Sequence, residues 1–85
     1  MKTFDYTIKD ALGIHARPAG LLVKEAKKYK SSVSISMGKK RADATKLMAV
    51  MSLGIKCGQT VTVEISGEDE DTAYNELLSF FEKNL

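Results

Sequence analysis

The sequence predicts an α+β domain in which one small sheet carries its helices on a single face. Three observations lead there. Four short segments alternate apolar and polar residues with a period of two. Three others repeat apolar residues at helical spacing, and the two kinds interleave as β-α-β-β-α-β-α. Strands that alternate give a sheet one apolar face, so the helices gather on that side. With 85 residues and no repeat or Pro/Gly-rich linker, residues 1–85 are expected to form one domain.

Lys2 to Ile8 puts Phe4, Tyr6 and Ile8 on one side and Thr3, Asp5 and Thr7 on the other, the pattern of a half-buried strand. Ala16 to about Tyr29 reads as a helix with Ala19, Leu22, Val23 and Ala26 on its buried stripe. Ser32 to Met37 alternates through Val33 and Ile35. Gly38 then turns the chain into Lys39–Ala44, a short polar strand suited to a sheet edge. Thr45 to Leu53 is expected to be helical and closed by Gly54. Gln59 to Ser66 turns Val61, Val63 and Ile65 inward. Glu68 to Asp71 then brings carboxylates to the positive end of a last helix, whose buried face is Ala73, Leu77, Leu78 and Phe81.

The net charge of +2 hides an asymmetry. Residues 1–56 hold twelve Lys or Arg against four Asp or Glu, and residues 57–85 hold one against seven. The basic part suits an anionic ligand or an acidic partner surface, and by charge alone a nucleic acid. No apolar run approaches a membrane span, and MKTFDYTI lacks the pattern of a secretory leader. With a single cysteine, Cys57, the expectation is a cytoplasmic protein without membrane insertion.

The only histidine and the only proline of the chain share one stretch, GIHARPAG, from Gly13 to Gly20. Helix initiation near His15 leaves the amides of Ala16 and Arg17 without intrahelical acceptors, which makes an anion site. Pro18 falls in the first turn, where its missing N–H does no harm. Arg17 offers a planar fork of donors to phosphate oxygens. Gly13 lets the preceding loop bend, and Ala16 and Gly20 keep the surface open. An unprotonated imidazole nitrogen facing such a cradle can accept a phosphoryl group. Ala16, Arg17 and Pro18 are therefore the candidate phosphate-binding residues, and His15 with Arg17 the candidate catalytic pair.

Other chemistries lack their parts. His15 and Cys57 have no partners at metal-ligand spacing, so no metal or cofactor is expected. No hydrolase order and no Gly-rich nucleotide loop occurs. KLMAVMSL, from Lys46 to Leu53, is apolar nearly all round, more than a short helix on a small sheet can bury. With Leu21, which lies off the buried stripe, and Lys24, Lys27 and Lys46 around them, these side chains suggest a docking patch.

GIHARPAG together with LMAVMSLG resembles the HPr family, the histidine-containing phosphocarriers of the bacterial sugar phosphotransferase system. Gly13, His15, Arg17, Pro18, Leu47, Met48, Met51, Ser52, Leu53 and Gly54 carry the match, in the same βαββαβα order over nearly the whole chain. The resemblance implies an open-faced β-sandwich, with a four-stranded antiparallel sheet under three helices. It implies a relay component bearing a transient phosphohistidine rather than a free-standing enzyme. His15 would take the phosphoryl group from Enzyme I through its pros nitrogen, Nδ1, assisted by Arg17, and pass it to enzyme IIA domains of sugar permeases. Gly20, Leu21, Lys24, Lys27, Lys46, Leu47, Met48 and Met51 would meet both partners, with the carrier a monomer. Relatives place a regulatory serine where this chain has Lys46, so the resemblance implies that this serine-linked control is absent.

Three readings stand at this point: a phosphocarrier, a regulatory adaptor of the same fold acting mainly by binding partner proteins, and a small basic nucleic-acid binder. The intact His15/Arg17 pair favours the first over the second. The strands show no exposed aromatic platform for stacking bases, which disfavours the third.

Overall fold

The computed structural model describes residues 1–85. Strands β1 (Lys2–Thr7), β2 (Ser32–Met37), β3 (Lys40–Asp43) and β4 (Thr60–Ser66) interleave with helices α1 (Ala16–Ala26), α2 (Leu47–Ser52) and α3 (Glu70–Asn84) in the expected order. The strands form one sheet ordered β1-β4-β2-β3, and every neighbouring pair is antiparallel. Polar β3 lies at an edge, as its composition predicts.

Register sends one set of side chains under the helices. Phe4, Val33, Ile35, Val61, Val63 and Ile65 meet Ala19, Leu22, Ala26, Val50, Leu77 and Phe81 in a single buried cluster. Phe81 anchors it, with its ring edge-to-face at 5.5 Å from both Phe4 and Tyr6. Truncating Phe81 to alanine would cost about 3–5 kcal/mol. The opposite face of the sheet carries Ser32, Ser34, Ser36, Thr60, Thr62 and Glu64, and is open to solvent.

Two helix boundaries differ from the periodicity, and at each a carboxylate holds the adjoining backbone in a turn. The first helix stops at Ala26 rather than near Tyr29. Asp69 accepts the amides of Lys30 and Ser31, each at 2.9 Å, and the Ser31 hydroxyl at 2.5 Å, which turns the chain toward β2. The second helix begins at Leu47 rather than Thr45. The Asp43 carboxylate takes the Thr45 amide at 2.9 Å and its hydroxyl at 2.6 Å, while the Asp43 carbonyl takes the Lys46 amide at 3.0 Å. The Thr45 hydroxyl first, then the Thr45 amide, holds the Asp43 carboxyl below its usual range. Lys46 is thus the N-cap of α2 (φ −114°, ψ 105°) and not a residue of its first turn. Gly54 follows α2 with φ +62° and ends it as expected.

Candidate functional site

The loop between β1 and α1 is fixed by backbone. Lys9 and Asp10 donate their amides to the Leu85 carbonyl at 2.7 and 2.9 Å, the Gly13 amide donates to Asp10, and the Ile14 amide reaches the Ile55 carbonyl at 3.0 Å. Gly13 has φ +69°, and a Cβ there would collide with the Ile55 carbonyl oxygen and the Lys56 Cα. The sequence suggests a freely bending glycine; the structure shows one required by a close backbone crossing.

That crossing delivers His15 as the N-cap of α1, with extended backbone (φ −95°, ψ −174°). Its carbonyl already accepts the Ala19 amide at 2.9 Å, so the helix begins there. The side chain makes no capping bond, which leaves the imidazole available. The amides of Ala16 and Arg17 have no intramolecular acceptor, and the first turn holds no acidic residue. Pro18, buried, supplies no amide and contributes shape rather than a donor. Exposed Arg17 takes part in none of the six ion pairs of the molecule.

Asp10, His15, Arg17, Pro18, Leu21 and Asn84 line one open hollow of about 280 Å³. The His15 side chain is 37% exposed, and its Nε2 lies 3.9 Å from Asp10 Oδ1. A larger hollow of about 400 Å³ runs along the open face of the sheet, where Arg41 pairs with Glu64. Ringed by serines and paired charges, it holds no imidazole or free cation, and size does not make it the site.

The patch separates into two sides of α2. Val50 and Leu53 are buried, while Leu47, Met48 and Met51 face solvent, Met48 with 77% of its surface exposed. Leu21 is exposed on α1, which packs against α2, and Lys24, Lys27 and Lys46 are exposed on or at the ends of the same two helices. A Cβ at Gly20 would meet no atom within 4 Å, so this position leaves the helix surface bare rather than permitting a close approach.

Sequence reasoning misses three neighbours of His15. Asp10 and Asn84 share its hollow, and Leu12 is 73% exposed on the loop before it. The first two come close only through the turn at Gly13 and the packing of the end of α3, which no local pattern encodes. Leu12 carries a readable signal, an apolar residue in a turn with no periodicity to bury it.

The family pattern described as the PTS HPr component phosphorylation site matches residues 2–83. The phosphocarrier protein HPr of Lysinibacillus sphaericus is 42% identical over 77 residues, 91% of this chain and 88% of that protein. The HPr-like protein Crh of Halalkalibacterium halodurans is 40% identical over 76 residues, covering 89% of this chain and 90% of Crh. Among solved structures, HPr from Thermoanaerobacter tengcongensis superposes with a TM-score of 0.93 at 36% identity, covering 99% of this chain and 94% of that one. With a four-stranded antiparallel sheet under three helices and this match along nearly its full length, the chain belongs to the HPr family of phosphocarriers of the phosphotransferase system.

Proposed function

We propose that this chain accepts a phosphoryl group on His15 Nδ1 from phosphorylated Enzyme I and delivers it to enzyme IIA domains of sugar permeases in the cytoplasm. One observation carries the reading: the only imidazole of the chain stands, uncapped and accessible, beside two unpaired amides and a free guanidinium. The Nδ1 lone pair forms the new N–P bond as the bond from phosphorus to the donor atom breaks, leaving its electron pair on the donor atom. The amides of Ala16 and Arg17 and the Arg17 guanidinium face the charge as it moves.

The exposed Leu21, Leu47, Met48 and Met51, with Lys24, Lys27 and Lys46 around them, provide the docking face for both partners. Its basic rim suits acidic partner surfaces.

Incubation with Enzyme I and phosphoenolpyruvate should add one phosphoryl mass, lost in mild acid and absent in His15→Ala. Met48→Asp should slow loading through weaker docking while the melting temperature holds. Label retained by His15→Ala refutes the assignment. Partner binding without any uptake would make the chain a regulatory adaptor instead.

A further inference from the structure

A neutral imidazole carries one proton, on either of two nitrogens, and the group facing one nitrogen decides whether the other keeps its lone pair. Here the group facing Nε2 is the Asp10 carboxylate, with Oδ1 at 3.9 Å. Asp10 is held from three directions. Its amide donates to the Leu85 carbonyl at 2.9 Å, its carbonyl accepts the Gly13 amide at 2.9 Å, and its Oδ1 accepts the Leu12 amide at 2.9 Å. A carboxylate tied down in this way can orient a ring rather than follow it.

We propose that Asp10 is a positioning residue: it keeps the proton of neutral His15 on Nε2 and thereby leaves Nδ1 as the nucleophile. The separation exceeds a hydrogen bond, so in the free protein the effect is electrostatic, a negative charge drawing the N–H end of the ring. Contacts of this kind are commonly long before a reaction partner docks and shorten in the complex.

The consequence for transfer, which rests on the phosphocarrier reading, follows from atom balance. When the Nδ1 lone pair bonds to phosphorus, the donor atom keeps the pair from the bond that breaks. Nε2 retains its proton throughout. The phosphorylated ring therefore carries a positive charge facing Asp10, a charge the neutral free ring lacks. Asp10 thus favours the loaded ring over the neutral one, and no proton has to enter or leave. The carboxylate also repels the incoming phosphoryl oxygens, a repulsion that Arg17, on the same hollow, offsets.

The test reads the ring directly. In ¹⁵N-labelled protein at a pH where the ring is neutral, the two ring-nitrogen shifts give the fractions of the Nε2–H and Nδ1–H forms. Asp10→Asn keeps an acceptor for the Leu12 amide and removes the charge, while Asp10→Ala removes both. The parent should be nearly all Nε2–H. Both variants should raise the Nδ1–H fraction several-fold and slow loading of His15 several-fold, and Asp10→Asn should leave the Leu12 amide signal in place. Unchanged ring-nitrogen shifts in Asp10→Ala would overturn the proposal, as would a shifted tautomer with loading at the parental rate. Failure of the parent itself to load would instead refute the carrier reading, and the tautomer result would stand apart from it.

Discussion

Gly13 stands two residues before the N-cap of α1, and Gly67 stands two residues before the N-cap of α3. Both have positive φ, and both approach neighbouring backbone so closely that a Cβ would collide, with Ile55 and Lys56 at one and with Ser31 at the other. From there the two helix starts diverge. At α3 the positive end of the helix is surrounded by the chain's own carboxylates. Glu70 accepts the Gly67 amide at 3.1 Å and pairs with the Met1 ammonium at 3.1 Å, Asp71 pairs with Lys2 at 3.0 Å, and Asp69 turns aside to bind Lys30 and Ser31. At α1 there is no acidic residue in the first turn and no ion pair for Arg17, although neither N-cap side chain makes a capping bond. One start meets the chain's own negative charge, and the other has none of its own, as the proposed phosphoryl site requires.

The largest effect should come from the unfinished start. Arg17→Ala should slow phosphoryl transfer about 10²–10³-fold, or ~2.7–4 kcal/mol at the transition state, the cost of losing one charge-directed donor. Its melting temperature should stay put, because the side chain is exposed and unpaired. Lys39→Ala, exposed in the turn between β2 and β3, is the control for lost charge. Equal slowing in both would reduce the Arg17 effect to long-range attraction.

The glycines come next. Gly13→Ala and Gly67→Ala should each lower stability by about 1–3 kcal/mol, since both impose strain at positive φ and a backbone collision. Only Gly13→Ala should also impair loading of His15 under conditions where both variants remain folded. If Gly67→Ala impairs it equally, loading follows global stability rather than the local crossing at Ile55.

Acid should expose the start of α3. The Ser31 hydroxyl first, then the Lys30 amide, holds the Asp69 carboxyl below its usual range, and the Gly67 amide does the same for Glu70. A carboxylate whose folded pKa is depressed contributes stability that is complete above its unfolded pKa and lost as pH falls through its folded pKa. Asp69→Asn should therefore be less stable than the parent at neutral pH and should lose less of its stability on acidification. Parallel melting curves from pH 7 to pH 3 would show that Asp69 is not the titrating brace.

The smallest effect belongs to α2, whose start is neither finished nor reserved. Lys46 occupies its N-cap with no side-chain bond. Lys46→Ser should stabilise the chain by about 0.5–2 kcal/mol by giving that cap an acceptor, and it should create a hydroxyl where the unmutated protein offers a serine kinase none. Thr45, the neighbouring hydroxyl, already donates to Asp43 at 2.6 Å. Phosphorylation of Thr45 in the unmutated protein, read by mass spectrometry, would contradict this.

These contrasts also mark what a sequence can convey. Strand alternation, the order of elements, the edge position of β3 and the N-cap histidine are local, and each was legible because neighbouring residues decide it. The solvent side of α2 was legible as excess, five apolar side chains on a turn and a half of helix. The helix ends were not, because the turns that Asp69 and Asp43 hold beside α1 and α2 rest on side-chain bonds that periodicity does not report. The Asp10–His15 approach and the Gly13 crossing depend on Ile55 and Leu85, distant in sequence, and no local pattern reports them.

If the start of α1 is kept open for a phosphoryl group, the amides of Ala16 and Arg17 report on it directly. ¹H–¹⁵N spectra should be compared before and after loading by Enzyme I. Both amide protons should move strongly downfield and exchange more slowly with solvent on phosphorylation, while the amides at the start of α3 stay in place. Ala16 and Arg17 signals unmoved in fully phosphorylated protein would contradict it.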